Sequence, residues 1–192
     1  MKVGISAIQG DYEAHARMLD RLGIEHCYVR QPADLIGLDA VILPGGESTT
    51  HLKVMTEEGL FDALKKFAAE GGAFFGTCAG AILLAREARG PSQASLGLLD
   101  ISILRNGYGR QLASDVRLGS TKLREDPIEM VFIRAPIIES VGKEVEVLAE
   151  FGGHPVLVQQ GPILAATFHP ELTTDTAIHE YFLEMVGRRV PA

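Results

Sequence analysis

Cys78 stands in a setting typical of an enzymatic nucleophile. Residues 76–80 read GTCAG, between an apolar segment and a stretch with a helical pattern. This G-x-C-x-G pattern is the thiol counterpart of the nucleophile elbow, a sharp strand-to-helix turn whose glycines avoid clashes between neighbouring elements. Free N–H groups and the dipole at the start of the helix favour the thiolate, the reactive form of cysteine. The pattern predicts a nucleophile, and a buried structural cysteine is the alternative.

A cysteine nucleophile needs a base, usually a histidine oriented by a carboxylate or an amide. His169 ends a predicted buried strand in the sequence FHPEL, and Glu171 follows two residues later. Pro170 biases His169 towards extended backbone, in which residues i and i+2 point to the same side. His169 is therefore predicted to be the base and Glu171 its orienter. The alternative is an ordinary histidine at a strand end beside a surface glutamate.

A second glycine turn follows another apolar strand. Residues 43–49 read LPGGEST, and a Gly-Gly turn lets the backbone approach a ligand closely. The N–H of this turn and the N–H of Ala79 are predicted to form a two-donor oxyanion hole. The alternative is a plain turn in which Ser48 or Thr49 caps the next helix, and both roles are compatible. Neither a Walker spacing nor G-x-G-x-x-G is present, which argues against a phosphate loop.

The remaining cysteine and histidines show no comparable pattern. Cys27 has no glycine turn and no helix start after it, so it is predicted to be a small buried apolar residue that does not pair with Cys78. Most of the other histidines are expected at the surface or half-buried; they are His15, His26, His51, His154 and His179. No His/Cys spacing resembles a metal site, and no metal or cofactor is expected.

Composition narrows the class of protein. The chain has 192 residues, 46% hydrophobic, which favours one globular domain spanning residues 1–192. Its net charge of −7 argues against a nucleic-acid partner. Apolar runs all fall short of the roughly 18 to 20 residues of a membrane span, and two cysteines are too few for a disulfide scaffold. A soluble, cytoplasmic protein is expected.

Hydrophobic periodicity predicts the elements that must position these residues. Strands are predicted at 3–8, 24–29, 40–43, 73–75 and 162–168. Helical patterns lie between them, including one helix at 79–88 and a closing helix at 176–186, and one broken or two successive helices precede residue 71. Residues 96–157 are Val/Ile-rich with Asn-Gly and Gly-Gly turns, which predicts strands, some antiparallel and at an edge. The fold class is therefore α/β with three layers: a mostly parallel sheet covered by helices on both faces.

Together the motifs resemble a known family. The sequences GTCAGAILLA, LPGGESTT and FHPELT are similar to those of class I, triad-type glutamine amidotransferases, which have a flavodoxin-like fold. The sequences RNGYGRQ at 105–111 and FIRAP at 132–136, with Gln9-Gly10, more narrowly resemble the glutaminase subunits of pyridoxal 5′-phosphate synthases. The match runs in order along nearly the whole chain.

The resemblance implies a role for each matching residue. Cys78 is the nucleophile, His169 the base and Glu171 its orienter, and Gly46 and Ala79 supply the oxyanion-hole N–H groups. The positions that would contact L-glutamine are Gly46, Glu47, Ser48, Arg105, Ile133 and Arg134. Either arginine could hold the α-carboxylate in a planar fork, and Glu47 could accept from the α-amino group. Gln9 and Gly10 correspond to a loop near the partner interface.

The resemblance also implies a partner, a (β/α)₈-barrel synthase that receives ammonia through an internal path and activates the glutaminase on docking. A large hetero-oligomer is expected. Three alternatives remain open at this point: a cysteine peptidase or related hydrolase, the glutaminase of another ammonia-channelling synthase, and a catalytically silent regulatory protein.

Overall fold

A computed structural model describes residues 1–107 and 114–188 of the chain. Residues 108–111 of the RNGYGRQ motif lie outside that range. The helices are α1 (Tyr12–Arg21), α2 (Ser48–Glu57), α3 (Leu60–Ala69), α4 (Ala79–Leu84) and α5 (Ala177–Gly187). The strands are β1 (Lys2–Ser6), β2 (Glu25–Val29), β3 (Ala40–Leu43), β4 (Ala73–Thr77), β5 (Ala85–Arg89), β6 (Leu99–Leu104), β7 (Ser114–Gly119), β8 (Ile128–Ile133), β9 (Ile137–Val141), β10 (Glu146–Phe151), β11 (His154–Gln160) and β12 (Ile163–Ala166).

The central sheet has seven strands in the order β10-β11-β12-β4-β3-β1-β2. The five strands from β12 to β2 are parallel, whereas β11 pairs antiparallel with β12 and β10 pairs antiparallel with β11 at the edge. The predicted mostly parallel sheet with antiparallel edge strands is confirmed. A three-stranded sheet, β5-β6-β9, and a hairpin, β7-β8, complete the strand pairing of the described residues.

Helices cover both faces of this sheet, as the sequence predicts. In β3, Ala40 and Ile42 pack into the cluster that includes Leu19 of α1 and Phe182 of α5. The alternate residues Val41 and Leu43 pack with Met55 of α2, Leu64 of α3 and Ala81 of α4. Because both faces of the strand are covered, all four residues of β3 are buried and the strand reads as a continuous apolar run. No helix of the described part of the chain has the length and hydropathy to cross a membrane.

One helix prediction is wrong in its second half. The predicted helix at 79–88 ends at Leu84, and Ala85–Arg89 forms β5. Strand β5 pairs in parallel with β6, with Ala85 opposite Leu99 and Ala88 opposite Ile103. Pairing with a strand about 15 residues along the chain overrides the helical propensity of the alanines, a tertiary effect that a local pattern does not contain.

The carboxyl ends of the parallel strands bring the predicted motifs to one edge of the sheet. The loop after β1 holds Gln9 and Gly10, and the loop after β3 holds Gly46. Cys78 directly follows β4, and His169 follows β12. Open α/β sheets bind ligands beyond these ends, so four separate chain segments meet where a site is expected.

Candidate active site

Cys78 occupies the strained turn between β4 and α4. Its φ of 49° and ψ of −102° lie outside the helical and extended regions, a conformation that costs a non-glycine residue about 1–3 kcal/mol. A Cβ on Gly76 would lie 2.6 Å from the carbonyl carbon of Gly80, and a Cβ on Gly80 would clash with the carbonyl oxygen of Leu43. The predicted steric need for both glycines is confirmed.

The thiol of Cys78 is enclosed but faces the cleft. Its backbone N–H donates to the carbonyl of Ala166 at 2.8 Å, which ties the turn to β12. Its Sγ lies 3.8 Å from the carbonyl oxygen of Ile133 at the end of β8. Ala79 is the first residue of α4, where a helix has no internal acceptor for the N–H. The turn therefore places a thiol beside a backbone N–H donor.

His169 and Glu171 meet as predicted, although by a different backbone path. Nδ1 of His169 lies 2.7 Å from Oε1 of Glu171, and both side chains are buried. His169 itself is near-extended, with φ −110° and ψ 83°, but Pro170–Leu172 forms a 3₁₀ turn, whereas extended backbone was expected. Asp11, which no sequence motif indicated, lies with Oδ2 3.8 Å from the same Nδ1.

The electrostatics favour a protonated imidazole between the thiol and the carboxylate. Burial lowers the pKa of His169, but hydrogen bonds to the Cys78 and Glu171 side chains outweigh it and raise the pKa to about 10. Burial raises the pKa of Glu171, and its hydrogen bond with His169 opposes that rise. A cationic imidazole beside the thiol stabilises the thiolate that a cysteine nucleophile needs.

The glycine turn after β3 lies against both His169 and the loop after β1. Gly46 is exposed, with φ of 137°, and a Cβ there would lie 2.9 Å from Nε2 of the buried His51. The backbone N–H of Glu47 donates to Oε1 of Gln9 at 3.2 Å. A Cβ on Gly10 would clash with the carbonyl oxygen of Gly45. Gln9 and Gly10 therefore support the turn that carries Gly46.

Glu47, and not Ser48 or Thr49, is the N-cap of α2. Its carboxylate accepts from the backbone N–H groups of Thr49 at 3.2 Å and Thr50 at 2.7 Å. Burial raises its pKa, but these bonds and those of the threonine hydroxyls dominate and hold it at about 2. Ser48 instead donates its hydroxyl to Gln93 at 3.0 Å. The cap prediction is wrong because the longer glutamate side chain reaches back to the second and third helical N–H groups.

The two predicted arginines differ sharply in their surroundings. Arg105 is buried, and its guanidinium donates to Oγ1 of Thr49 at 2.8 Å and to the carbonyl of Pro91 at 3.2 Å. Arg105 also lies 3.6 Å from Oε1 of Glu47, whereas Arg134 is exposed, with φ of 43°, and no carboxylate of residues 1–107 or 114–188 lies within 4 Å of its guanidinium. The structure thus leaves Arg134, rather than Arg105, free to bind an anion.

Most of the predicted site residues line one cleft of about 160 Å³. Its walls comprise Asp11, Gly46, Glu47, Ser48, Cys78, Ile82, Arg105, Asn106, Ile133, Arg134, Pro136 and His169. A larger cleft of about 850 Å³ runs between α3 and the 3₁₀ turn Pro32–Leu35, but no cysteine or histidine of the described chain lines it. The smaller cleft is therefore the one equipped for nucleophilic chemistry.

Three of the five other histidines are buried, so the prediction that most of them lie at the surface or half-buried is wrong. His15, His51 and His179 are each fully buried, and His15 and His179 lie behind Glu171. His15 shares the core stripe of α1 with Leu19, a helical spacing that would have indicated burial. Cys27, expected to be buried, is half-buried on β2, and both cysteines are free as predicted.

Fold and site together define the class of protein. A crystal structure described as that of a glutamine amidotransferase superposes with a TM-score of 0.91 at 49% identity, covering 96% of this chain and 98% of that one. The structure of PurLQS from Thermotoga maritima contains a chain of the same fold at 18% identity, with a TM-score of 0.69, covering 95% of this chain and 97% of that one. The class is that of the class I glutamine amidotransferases.

The chain belongs to the SNO glutamine amidotransferase family, whose pattern it matches over residues 5–188. The pyridoxal 5′-phosphate synthase subunit PdxT of Koribacter versatilis is 52% identical over 186 residues, covering 97% of this chain and 96% of that protein. The protein of the same name from Deinococcus radiodurans is 49% identical, covering 98% and 99% respectively. The family resemblance inferred from the motifs is confirmed.

Proposed function

We propose that this protein is the glutaminase subunit of a pyridoxal 5′-phosphate synthase. It hydrolyses L-glutamine to glutamate and ammonia and delivers the ammonia to a (β/α)₈-barrel synthase. The observation that carries the proposal is that Cys78 and His169 line one cleft, with Nδ1 of His169 2.7 Å from Oε1 of the buried Glu171. Identities of 52% and 49% to two PdxT proteins, over nearly the full length of the chain, support the particular substrate and partner.

Glutamine binds with its side-chain amide towards Cys78. Arg134 pairs with the α-carboxylate because its guanidinium is exposed and unpaired among the described residues. Glu47 stays ionised, with its pKa at about 2, and accepts from the α-amino group beside Ser48. Arg105 shapes this wall by holding Thr49, and Ile133 borders the thiol.

Catalysis proceeds through a thioester. The Cys78 thiolate attacks the amide carbon, and the resulting oxyanion accepts from the N–H groups of Gly46 and Ala79. His169 gives its proton to the amide nitrogen, the C–N bond breaks and ammonia leaves. A water molecule then gives a proton to His169 and attacks the thioester carbon, which releases glutamate and restores the thiolate. Glu171 orients the imidazole throughout. No cofactor takes part in these steps.

Docking of the synthase activates the glutaminase. Gln9 and Gly10 contact the turn that carries Gly46, so a partner that binds this loop acts directly on one oxyanion-hole donor. The two proteins form a large hetero-oligomer in the cytoplasm, without nucleic acid or membrane. Losing one oxyanion-hole donor costs about 100- to 1,000-fold in rate, which sets the scale of the expected activation.

The test is release of glutamate from glutamine, with and without the barrel synthase. We expect strong activation by the synthase, and label from [amide-¹⁵N]glutamine in the pyridoxal 5′-phosphate formed, even in excess unlabelled ammonium. Equal turnover with and without the synthase would contradict activation by docking. Hydrolysis of peptides or esters in preference to glutamine would favour a peptidase. If only a different synthase, and not the pyridoxal 5′-phosphate synthase barrel, activates the protein, it would be the glutaminase of another ammonia-channelling synthase.

A further inference from the structure

A buried line of polar side chains continues from Glu171 away from Cys78. Oγ1 of Thr77 lies 3.4 Å from Oε1 of Glu171, and Nε2 of His15 lies 3.1 Å from that hydroxyl. Nε2 of His15 also faces Oε2 of Glu171 at 3.6 Å, and its Nδ1 lies 3.0 Å from Nε2 of His179. His15, Thr77 and His179 are fully buried, and the Phe75 ring packs edge-on against both histidines.

Only one pair of tautomers for His15 and His179 gives each buried N–H of these two rings an acceptor. Oε2 of Glu171 has no hydrogen-bond partner within 3.5 Å among the described residues and faces Nε2 of His15 at 3.6 Å. The same Nε2 lies 3.1 Å from the Thr77 hydroxyl, which donates to Oε1 of Glu171, so a proton on Nε2 of His15 supports the carboxylate both directly and through Thr77. With its proton on Nε2, His15 accepts at Nδ1 from Nε2–H of His179. Nδ1 of His179, which also lacks a partner in the described chain, is then a lone pair rather than a buried unpaired donor. The opposite tautomers would turn a lone pair of His15 towards the carboxylate.

Both histidines stay neutral at physiological pH. Burial lowers the pKa of His15 well below its usual value, and the neighbouring His179 and His169 lower it further. Burial alone lowers the pKa of His179 to about 4. Asp11 adds a negative charge near Glu171 on the cleft side. Glu171 thus faces one cation, His169, and two neutral groups, the Thr77 hydroxyl and the Nε2–H of His15, so its charge remains available to the imidazolium.

We propose that His15 is a positioning residue, which holds the Glu171 carboxylate ionised and aimed at His169, with its own tautomer fixed by His179. The inference rests on the proposed function, because it assigns to Glu171 the orienting of His169. The simpler alternative is that the two histidines only fill space in the core. If His15 positions Glu171, removal of its Nε2–H changes the reactivity of Cys78. If the two histidines only fill space, the reactivity of Cys78 stays the same.

The test compares the wild type with three variants. His15→Leu removes both ring nitrogens at similar size, and His15→Gln keeps a terminal N–H donor. Phe74→Leu is the matched control for core destabilisation, since Phe74 is equally buried but packs on the other face of β4, against Phe67. Two quantities are measured: the pH profile of Cys78 alkylation by iodoacetamide in the free chain, and kcat and KM for glutamine with the synthase present.

For His15→Leu we expect the acid limb of the alkylation profile to move to higher pH and kcat to fall about 3- to 10-fold, the scale of one neutral hydrogen bond, with KM unchanged. His15→Gln should recover much of the lost kcat, and Phe74→Leu should lose thermal stability only. Identical alkylation profiles for His15→Leu and the wild type would overturn the proposal. An absence of wild-type glutaminase activity with a profile that still moves would instead refute the proposed function alone.

A measurement on the wild type keeps the inference testable if His15→Leu does not fold. Nitrogen-15 NMR of histidine-labelled protein at pH 7 distinguishes the tautomers directly. The arrangement requires both His15 and His179 to carry their proton on Nε2. A proton on Nδ1 of His15 would contradict it.

Discussion

Gly45 lies directly against the imidazole of His169. A Cβ on Gly45 would overlap Cε1 of the ring and would lie only 3.0 Å from Nδ1. That Nδ1 is the atom that contacts Glu171 at 2.7 Å. The glycine after Pro44 therefore has a steric role, because it leaves the space that the His169 imidazole occupies.

Gly45→Ala should abolish most of the activity while the protein stays folded. The ring cannot shift without breaking its contact with Glu171, and a displacement of about 1 Å at a reacting group costs roughly 100-fold in rate. Glutamate release with the synthase present measures the loss of activity, and circular dichroism checks that the protein stays folded. Gly187→Ala in α5 is the matched control, since its Cβ would meet only Met1 at an ordinary 3.5 Å. Wild-type turnover in Gly45→Ala would show that the ring position is not critical.

Substitution of the two arginines should separate substrate binding from support of the fold. Arg134→Gln should raise KM for glutamine about 10- to 100-fold, since a charge-assisted bond contributes about 1.5–3 kcal/mol, with little change in stability. Arg105→Gln should lower the free energy of unfolding by about 1–3 kcal/mol because it removes the hydrogen bonds from the buried Arg105 guanidinium to Thr49 and Pro91. Steady-state kinetics and urea denaturation of both variants provide the comparison. A raised KM in Arg105→Gln alone would reverse the assignment.

Stability should fall as pH decreases from about 6.5 towards 4. The pKa of His179 is lowered from its usual 6.5 to about 4, so in this range the unfolded chain binds a proton that the folded chain does not. His15 acts in the same direction. His169 acts oppositely: with its pKa raised to about 10, its contribution is complete below 6.5 and is lost as pH rises through 10.

Urea denaturation at pH 7, 6, 5 and 4 measures the acid slope. One buried histidine with this shift accounts for on the order of 3 kcal/mol once the pH is below its folded pKa. His179→Gln should remove the contribution of His179, so the free energy of unfolding should fall less steeply between pH 6.5 and 4. An unchanged slope in that variant would show that other groups dominate acid unfolding.

Most of the fold and the meeting of Cys78, His169 and Glu171 could be predicted from the sequence because both depend on local patterns. The apolar run 40–43 and the glycines around Cys78 define the buried strand and the elbow from neighbouring residues alone. Glu171 lies two residues from His169, so their contact needs only a short, stiff segment.

What the sequence could not predict depends on distant partners. Strand β5 exists because β6 pairs with it, and Arg105 is a wall residue because Thr49 and Pro91 are brought to it by the fold. The contact between His15 and Glu171 joins residues 156 positions apart, and no spacing rule links them.

Covalent labelling by a glutamine analogue with an electrophile in place of the amide tests the central claim most directly. Intact-mass and peptide mass spectrometry of the chain bound to its synthase should show one adduct, on Cys78, blocked by excess glutamine. Cys78→Ser should take up no label and release no ammonia, while Cys27→Ser should label fully. An adduct on Cys27, or glutamine hydrolysis that persists in Cys78→Ser, would contradict the account.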